Sequence, residues 1–155
     1  MVMDVLTPEQ RQRCMASIKG RNTKPEVVLR KALFSLGFRY RLHDKRLPGT
    51  PDLVFPKYHA VVFVHGCFWH GHDCNLFVVP STNTAFWIKK IAGNRSRDGK
   101  ALQELRALGW RETTVWECAL RGREKSPLDE LARSIAGWLR SPRQSSEIPP
   151  PRSKR

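Results

Sequence analysis

The chain has 155 residues, 40% of them hydrophobic, enough for one domain that buries about two-thirds of its unfolded surface. Lys and Arg number 28 against 14 Asp and Glu, a net charge of +14, and an excess of that size points to a polyanion. No apolar run approaches the ~20 residues of a membrane span and no secretory leader opens the chain, so the expectation is a cytoplasmic protein bound to nucleic acid.

In chain order, Thr7-Pro8-Glu9-Gln10 reads as a helix start, with Thr7 as N-cap and Gln10 closing a capping box, and Gly20 as a stop. The helix over about 8–19 carries Arg11, Arg13 and Lys19 but few large apolar residues, so it is either a solvated face or a basic arm that meets phosphates. Cys14 is a helix-face thiol. Thr23-Lys24-Pro25-Glu26 repeats the start signal, and Val27, Val28, Leu29, Leu33, Phe34 and Leu36 form an apolar stripe that ends at Gly37. Glu26 fits the capping box, and as a carboxylate at a helix start it could also orient a metal-bound water.

Phe38, Tyr40 and Leu42 alternate with Arg39, Arg41 and His43, which predicts a half-exposed strand with a basic outer face. Residues 47–51 form a turn, and Asp52 then heads the apolar run Leu53-Val54-Phe55. A carboxylate at the mouth of a buried strand is costly unless it binds something. Mg²⁺ is the natural candidate, being hard and oxygen-seeking. His43 and His59 read as ordinary surface residues, and Ala60–Val64 as a central strand.

Residues 65–74 combine three histidines, two cysteines and two large aromatics. Cys67, His72 and Cys74 supply soft ligands, and Cys118, ending the second apolar run TTVWEC, completes a Cys3His set suited to structural zinc. The alternative is two buried thiols beside exposed histidines. Three cysteines on zinc fit a reducing compartment. His65 and His70 are then left for proton chemistry. Phe68-Trp69, adjacent in a tight loop, either turns a ring outward to stack on bases or covers the zinc site.

A loop over 75–83 precedes a helix from Thr84, expected to falter near Gly93-Asn94 and resume to Gly109. Of Phe86 and Trp87, one can pack inward while the other protrudes; Trp87 beside Lys89 and Lys90 is the candidate for exposure, with Asn94, Arg95 and Arg97 as phosphate or base contacts. Residues 110–118 form a strand, and Ser126-Pro127 starts a helix with Leu128, Leu131, Ile135, Trp138 and Leu139 inward. Residues 142–155 have the composition of a disordered basic tail.

LPGTPDLVF, VVFVHGCFWHGHDC, the FW-x-x-K-I-x-x-N segment at 86–94 and VWECALRGREK together resemble, in order and spacing, the very short patch repair (Vsr) mismatch endonucleases, over roughly residues 8–140. The resemblance implies an α/β fold with a restriction-endonuclease-like mixed sheet flanked by helices, a structural zinc, and one domain over 1–141. The E-x-K of restriction-like nucleases is replaced here by Phe63-Val64-His65. The resemblance further implies Asp52 and the Val64 carbonyl as Mg²⁺ ligands, His70 activating water, His65 assisting at the phosphate, and Glu26 in a supporting acidic position. Cys67, His72, Cys74 and Cys118 match the zinc ligands. Phe68, Trp69 and Trp87 match an aromatic wedge entering the duplex beside a T:G mismatch, with Lys90, Asn94 and Arg95 on the DNA and the N-terminal helix bracing the opposite side. The implied reaction is a nick 5′ to the mismatched thymine of deaminated 5-methylcytosine. The implied protein is a monomer that meets double-stranded DNA and mismatch-repair proteins.

Overall fold

The computed structural model describes residues 22–150, so the predicted arm and Cys14 lie outside the described residues. Helix α1 (Lys24–Ser35) is followed by strands β1 (Arg41–Leu42), β2 (Leu53–Phe55) and β3 (Ala60–His65), helix α2 (Thr84–Ala107), strand β4 (Arg111–Trp116), helix α3 (Leu128–Arg140) and strand β5 (Ser145–Ile148). The five strands lie in the order β1-β2-β3-β4-β5. The first two pairings are antiparallel and the last two parallel, a mixed sheet.

Side-chain alternation builds the layers. Leu53, Phe55, Ala60, Val62 and Val115 belong to one face, where α1 and α3 bury Leu29, Leu33, Leu131, Ile135, Trp138 and Leu139. Val54, Val61 and Phe63 belong to the other, against Leu105 of α2. Each such buried aliphatic side chain contributes about 2 kcal/mol through water exclusion. The same period carries His65, Thr114 and Trp116 onto the α2 face, because His65 follows Phe63 by two and pairs with Trp116.

Several expectations are corrected. The strand over 38–43 shrinks to two exposed residues, since Phe38 is pulled into the core against Phe55 at a centroid distance of 6.2 Å. Helix α2 does not falter: it runs unbroken through Gly93 for 24 residues, a glycine inside a helix costing only about 1 kcal/mol. Leu128 is 38% exposed rather than inward. Four residues of the expected tail form β5 and pair with β4 from Glu112↔Ser145 to Val115↔Ile148.

Arg111 explains that last addition. Its guanidinium donates to the carbonyls of Trp138, Leu139, Ser141 and Arg143, and to that of Tyr58, over 2.7–3.2 Å. It satisfies the orphan carbonyls at the end of α3 and ties the chain leading into β5 to the sheet.

Candidate active site and metal centre

The N-terminal end of β2 and the C-terminal ends of β3 and β4 meet at one rim. Asp52 Oδ2 accepts a hydrogen bond from the Val64 N–H at 2.7 Å, across the β2–β3 pair. Burial pushes its carboxyl up to about 6; the Val64 N–H pulls the other way and the nearby Glu26 carboxylate adds to the rise. Directly ahead of Pro51-Asp52, Thr50 is held at φ +47°. For a β-branched side chain this stores on the order of 1–3 kcal/mol of strain, the kind that collects at functional sites.

Glu26 fulfils its capping role and another besides. Its Oε2 accepts from the Thr23 N–H at 3.2 Å, while Oε1 makes a very short hydrogen bond with His43 Nε2. The carboxylate is 1% exposed and the imidazole 10%, which corrects the surface reading of His43. Glu26, His43 and Asp52 bring one ligand atom each within 4.8 Å of one another, a donor set of two carboxylates and an imidazole that fits a hard divalent cation beside Asp52.

His65 and His70 stack face to face, 3.9 Å between centroids and 4° between planes. His70 Nδ1 is 2.5 Å from Asp98 Oδ2. Asp98 is a residue that reading the sequence passed over: it sits among charges on α2, and only the fold carries it to the histidine. The three residues also offer ligand atoms within 4.8 Å, but parallel imidazoles stacked this closely direct their in-plane lone pairs into separate planes. The geometry therefore favours a hydrogen-bonded dyad over a shared ion: a carboxylate on Nδ1 fixes the proton there and leaves Nε2 as the basic nitrogen. Burial, and then His70, hold the His65 imidazole down at about 3, so it stays neutral.

These groups open onto one cleft of about 680 Å³, lined among others by His43, Lys45, Thr50, Asp52, Val64, His65, His70, Arg97 and Asp98. Lys45 and Arg97 add positive charge where a phosphate would enter. Asp52 and His70 thus share a cavity, and Lys45, Asp98 and His43 join them.

The loop after β3 is built around sulfur. Cys67 and Cys118 are buried, and His72 Nδ1 lies 3.6 Å from the first sulfur and 3.5 Å from the second. With Cys74, all four ligand atoms fall within 4.8 Å of one another. A tetrahedral zinc with sulfur at about 2.3 Å and nitrogen at about 2.0 Å needs S–N edges of about 3.5 Å, so the set fits. Backbone N–H groups of Cys118 and Leu76 point at the sulfurs of Cys67 and Cys74, at 3.3 and 3.4 Å, as thiolates would require. Burial raises the Cys67 thiol far above its usual range and Cys118 to about 11. Without a cation these groups keep their protons; a divalent metal would displace them.

This knot is pressed onto α2 by Gly71. At φ +63°, any Cβ there would lie 2.7 Å from Ile91 Cγ2, so only glycine lets the loop approach. The Asn94 carboxamide, one turn on from Ile91 along the same helix, also holds the loop, donating to the Trp69 carbonyl at 2.8 Å and accepting from Arg97 Nη2. Asn94, expected on DNA, is committed here to the loop. Phe68, Trp69 and Trp87 form one cluster with centroids 5.3–5.8 Å apart. It is Phe86, at 58% exposure, that protrudes rather than Trp87. Arg95 and Lys90 are exposed on α2. Among the described residues no helix is long and apolar enough to cross a membrane.

A cleft at the rim of the sheet gathers a carboxylate, a histidine–aspartate dyad and basic side chains, and its relatives place the chain among the nucleases. The family described as DNA mismatch endonuclease Vsr matches residues 3–76. DNA mismatch endonuclease Vsr of Escherichia coli strain K12 is 43% identical over 145 residues, 94% of this chain and 93% of that protein. The type II nicking enzymes V.XorIIP of Xanthomonas oryzae pv. oryzae and V.NmeAIP of Neisseria meningitidis are 49% and 47% identical, over 76% and 85% of this chain and 86% and 96% of their own. The chain belongs to the Vsr family of DNA mismatch endonucleases.

Proposed function

We propose that this protein nicks one DNA strand on the 5′ side of the thymine in a T:G mismatch, starting short-patch repair of deaminated 5-methylcytosine in the cytoplasm. The observation that carries the reading is the shared cleft: Asp52 and the His70–Asp98 dyad face one space, and the histidine sits one residue after the Phe68-Trp69 pair. Asp52 and the Val64 carbonyl would hold Mg²⁺, with Glu26 in support. When bound, the ion supplies charge neutralisation at the scissile phosphate.

His70 Nε2 takes the proton of the attacking water while Asp98 stabilises the imidazolium that results. Neutral His65, stacked on His70, donates a hydrogen bond at the phosphate or the leaving oxygen. Lys45 and Arg97 orient the phosphate. Cys67, His72, Cys74 and Cys118 would hold zinc, which keeps the loop rigid. Phe68, Trp69 and Trp87 enter the duplex where a mispaired step resists unstacking least, so discrimination comes partly from deformability. Lys90 and Arg95 take backbone phosphates. The sheet and its flanking helices are consistent with a restriction-endonuclease-like fold acting as a monomer.

Nicking of T:G and T:A duplexes, with and without added Mg²⁺, tests this. A strand-specific cut that needs both the mismatch and the ion is expected. Cleavage of both strands of a perfectly paired site would replace the reading with a restriction-like nuclease. Binding with no cleavage under any condition would replace it with a zinc-stabilised DNA-binding module.

A further inference from the structure

Trp116 and Glu147 have no part in the reaction as described, yet they stand against its histidines. Trp116 closes β4 in register with His65. Its indole stacks on His72 at 4.2 Å and 11°, and meets His65 and His70 edge-on at 5.5 and 6.3 Å. It is therefore the wall between the sulfur knot and the histidine pair. The polar atom of that ring, Nε1, donates to Glu147 Oε1 at 2.7 Å. Glu147 arrives on β5 opposite Thr114, on the face that also carries Trp116. A second cleft of about 210 Å³ is lined by His65, His70, Asp98, Trp116 and Glu147. The histidine pair thus partitions two spaces, with Asp52 lining the first and Glu147 the second.

Two imidazoles stacked face to face have no hydrogen bond between them to stop one sliding over the other. Asp98 fixes one atom of His70, and a ring held by one atom can still pivot. The indole, steeply inclined to both imidazole planes at 71° and 68°, blocks that pivot, provided the indole itself is held. We propose that Glu147, through the Trp116 indole N–H, is a positioning residue that sets the orientation of the His65–His70 stack. This rests on the nuclease reading above and adds to it a role for the C-terminal edge strand.

The test uses the full-length, zinc-loaded protein and four variants: Glu147→Ala, Glu147→Gln, Trp116→Phe and the double variant Glu147→Ala/Trp116→Phe. On a T:G duplex, Glu147→Ala is expected to lower kcat about tenfold, misplacement of a catalytic group by under 1 Å being sufficient, with DNA affinity and zinc content unchanged. Glu147→Gln, whose amide oxygen accepts the same bond, should stay within about twofold of the parent. Trp116→Phe keeps a ring but loses the donor, so it should match Glu147→Ala, and the double variant should fall no further than either single one.

Independently of cleavage, the ring-proton resonances of His65 and His70 should move in Glu147→Ala and return in Glu147→Gln. Unmoved resonances with full kcat in Glu147→Ala would overturn the proposal, as would equal impairment of the Ala and Gln variants. If the parent fails to nick while the resonances still respond to Glu147→Ala, the positioning contact stands and the nuclease reading falls.

Discussion

Asp98 Oδ2 lies 2.5 Å from His70 Nδ1, and that contact turns an imidazole at the end of a loop into a base of defined tautomer. Asp98→Asn would present an amide N–H that donates to Nδ1 and holds the other tautomer, with the proton on Nε2. We expect kcat for T:G nicking to fall by about 10²–10⁴ with KM little changed. Single-turnover nicking at saturating enzyme measures it. His70→Ala should be about as severe, and combining the two should add little, since the pair acts as a unit.

On the proposed reading, Asp52 couples catalysis to pH and to stability with opposite signs. Its carboxyl, raised from 3.8 to about 6, binds more protons folded than unfolded between those values, so folding stability falls as pH rises through that window. Above about pH 6 the buried charge costs on the order of 3 kcal/mol. Asp52→Asn should therefore be more stable than the parent at pH 8 without added Mg²⁺, nearly equal to it below pH 4, and inactive throughout. Urea melts at the two pH values check the first two statements. In the parent, the Mg²⁺ concentration needed for half-maximal nicking should rise as pH falls through about 6.

Removing a ligand from the sulfur knot should cost metal and fold together. Cys118→Ala is expected to drop zinc content well below about one equivalent and the melting temperature by roughly 10 °C, read by metal analysis and calorimetry. A variant retaining full zinc would mean that another residue supplies the fourth ligand.

Trp69→Ala removes one ring of a three-ring cluster and should reduce the preference for T:G over T:A duplexes about tenfold, stacking on a base being worth roughly 1–3 kcal/mol. Competition nicking of the two duplexes in one tube gives the ratio. Asn94→Ala, which strips the Trp69 carbonyl of its partner, should lose part of the same preference without touching any base.

Arg111→Ala removes five hydrogen bonds to main-chain carbonyls and should destabilise the fold by about 3 kcal/mol, with hydrogen exchange accelerated first across β5.

What could be read in advance was whatever is carried by short spacing. The Cys3His set, Asp52 at the mouth of β2, and the histidines beside Phe68-Trp69 all sit in or next to apolar runs that announce strands. What stayed hidden depends on tertiary approach. Asp98 has charged neighbours on a helix and looks like any solvated carboxylate. His43 reads as a strand-end surface residue until α1 brings Glu26 against it. The segment SSEI reads as tail because its composition is polar, and it becomes a strand because Arg111 anchors the chain beside an open edge of β4. Gly93 points the other way: a helix with a face on the sheet runs unbroken through both Gly93 and Gly99.

That uninterrupted α2 has a further implication. Trp87 and Asp98 are eleven positions apart on one rod, a separation of about 16 Å along its axis at 1.5 Å per residue. On the proposed reading, one end marks where a ring slips between base pairs and the other where the water is aimed. The helix is then a ruler, and the cut should fall at one fixed number of nucleotides from the damaged pair. Inserting a full turn between Trp87 and Asp98, near Gly93, would be expected to relocate or abolish the nick rather than scatter it.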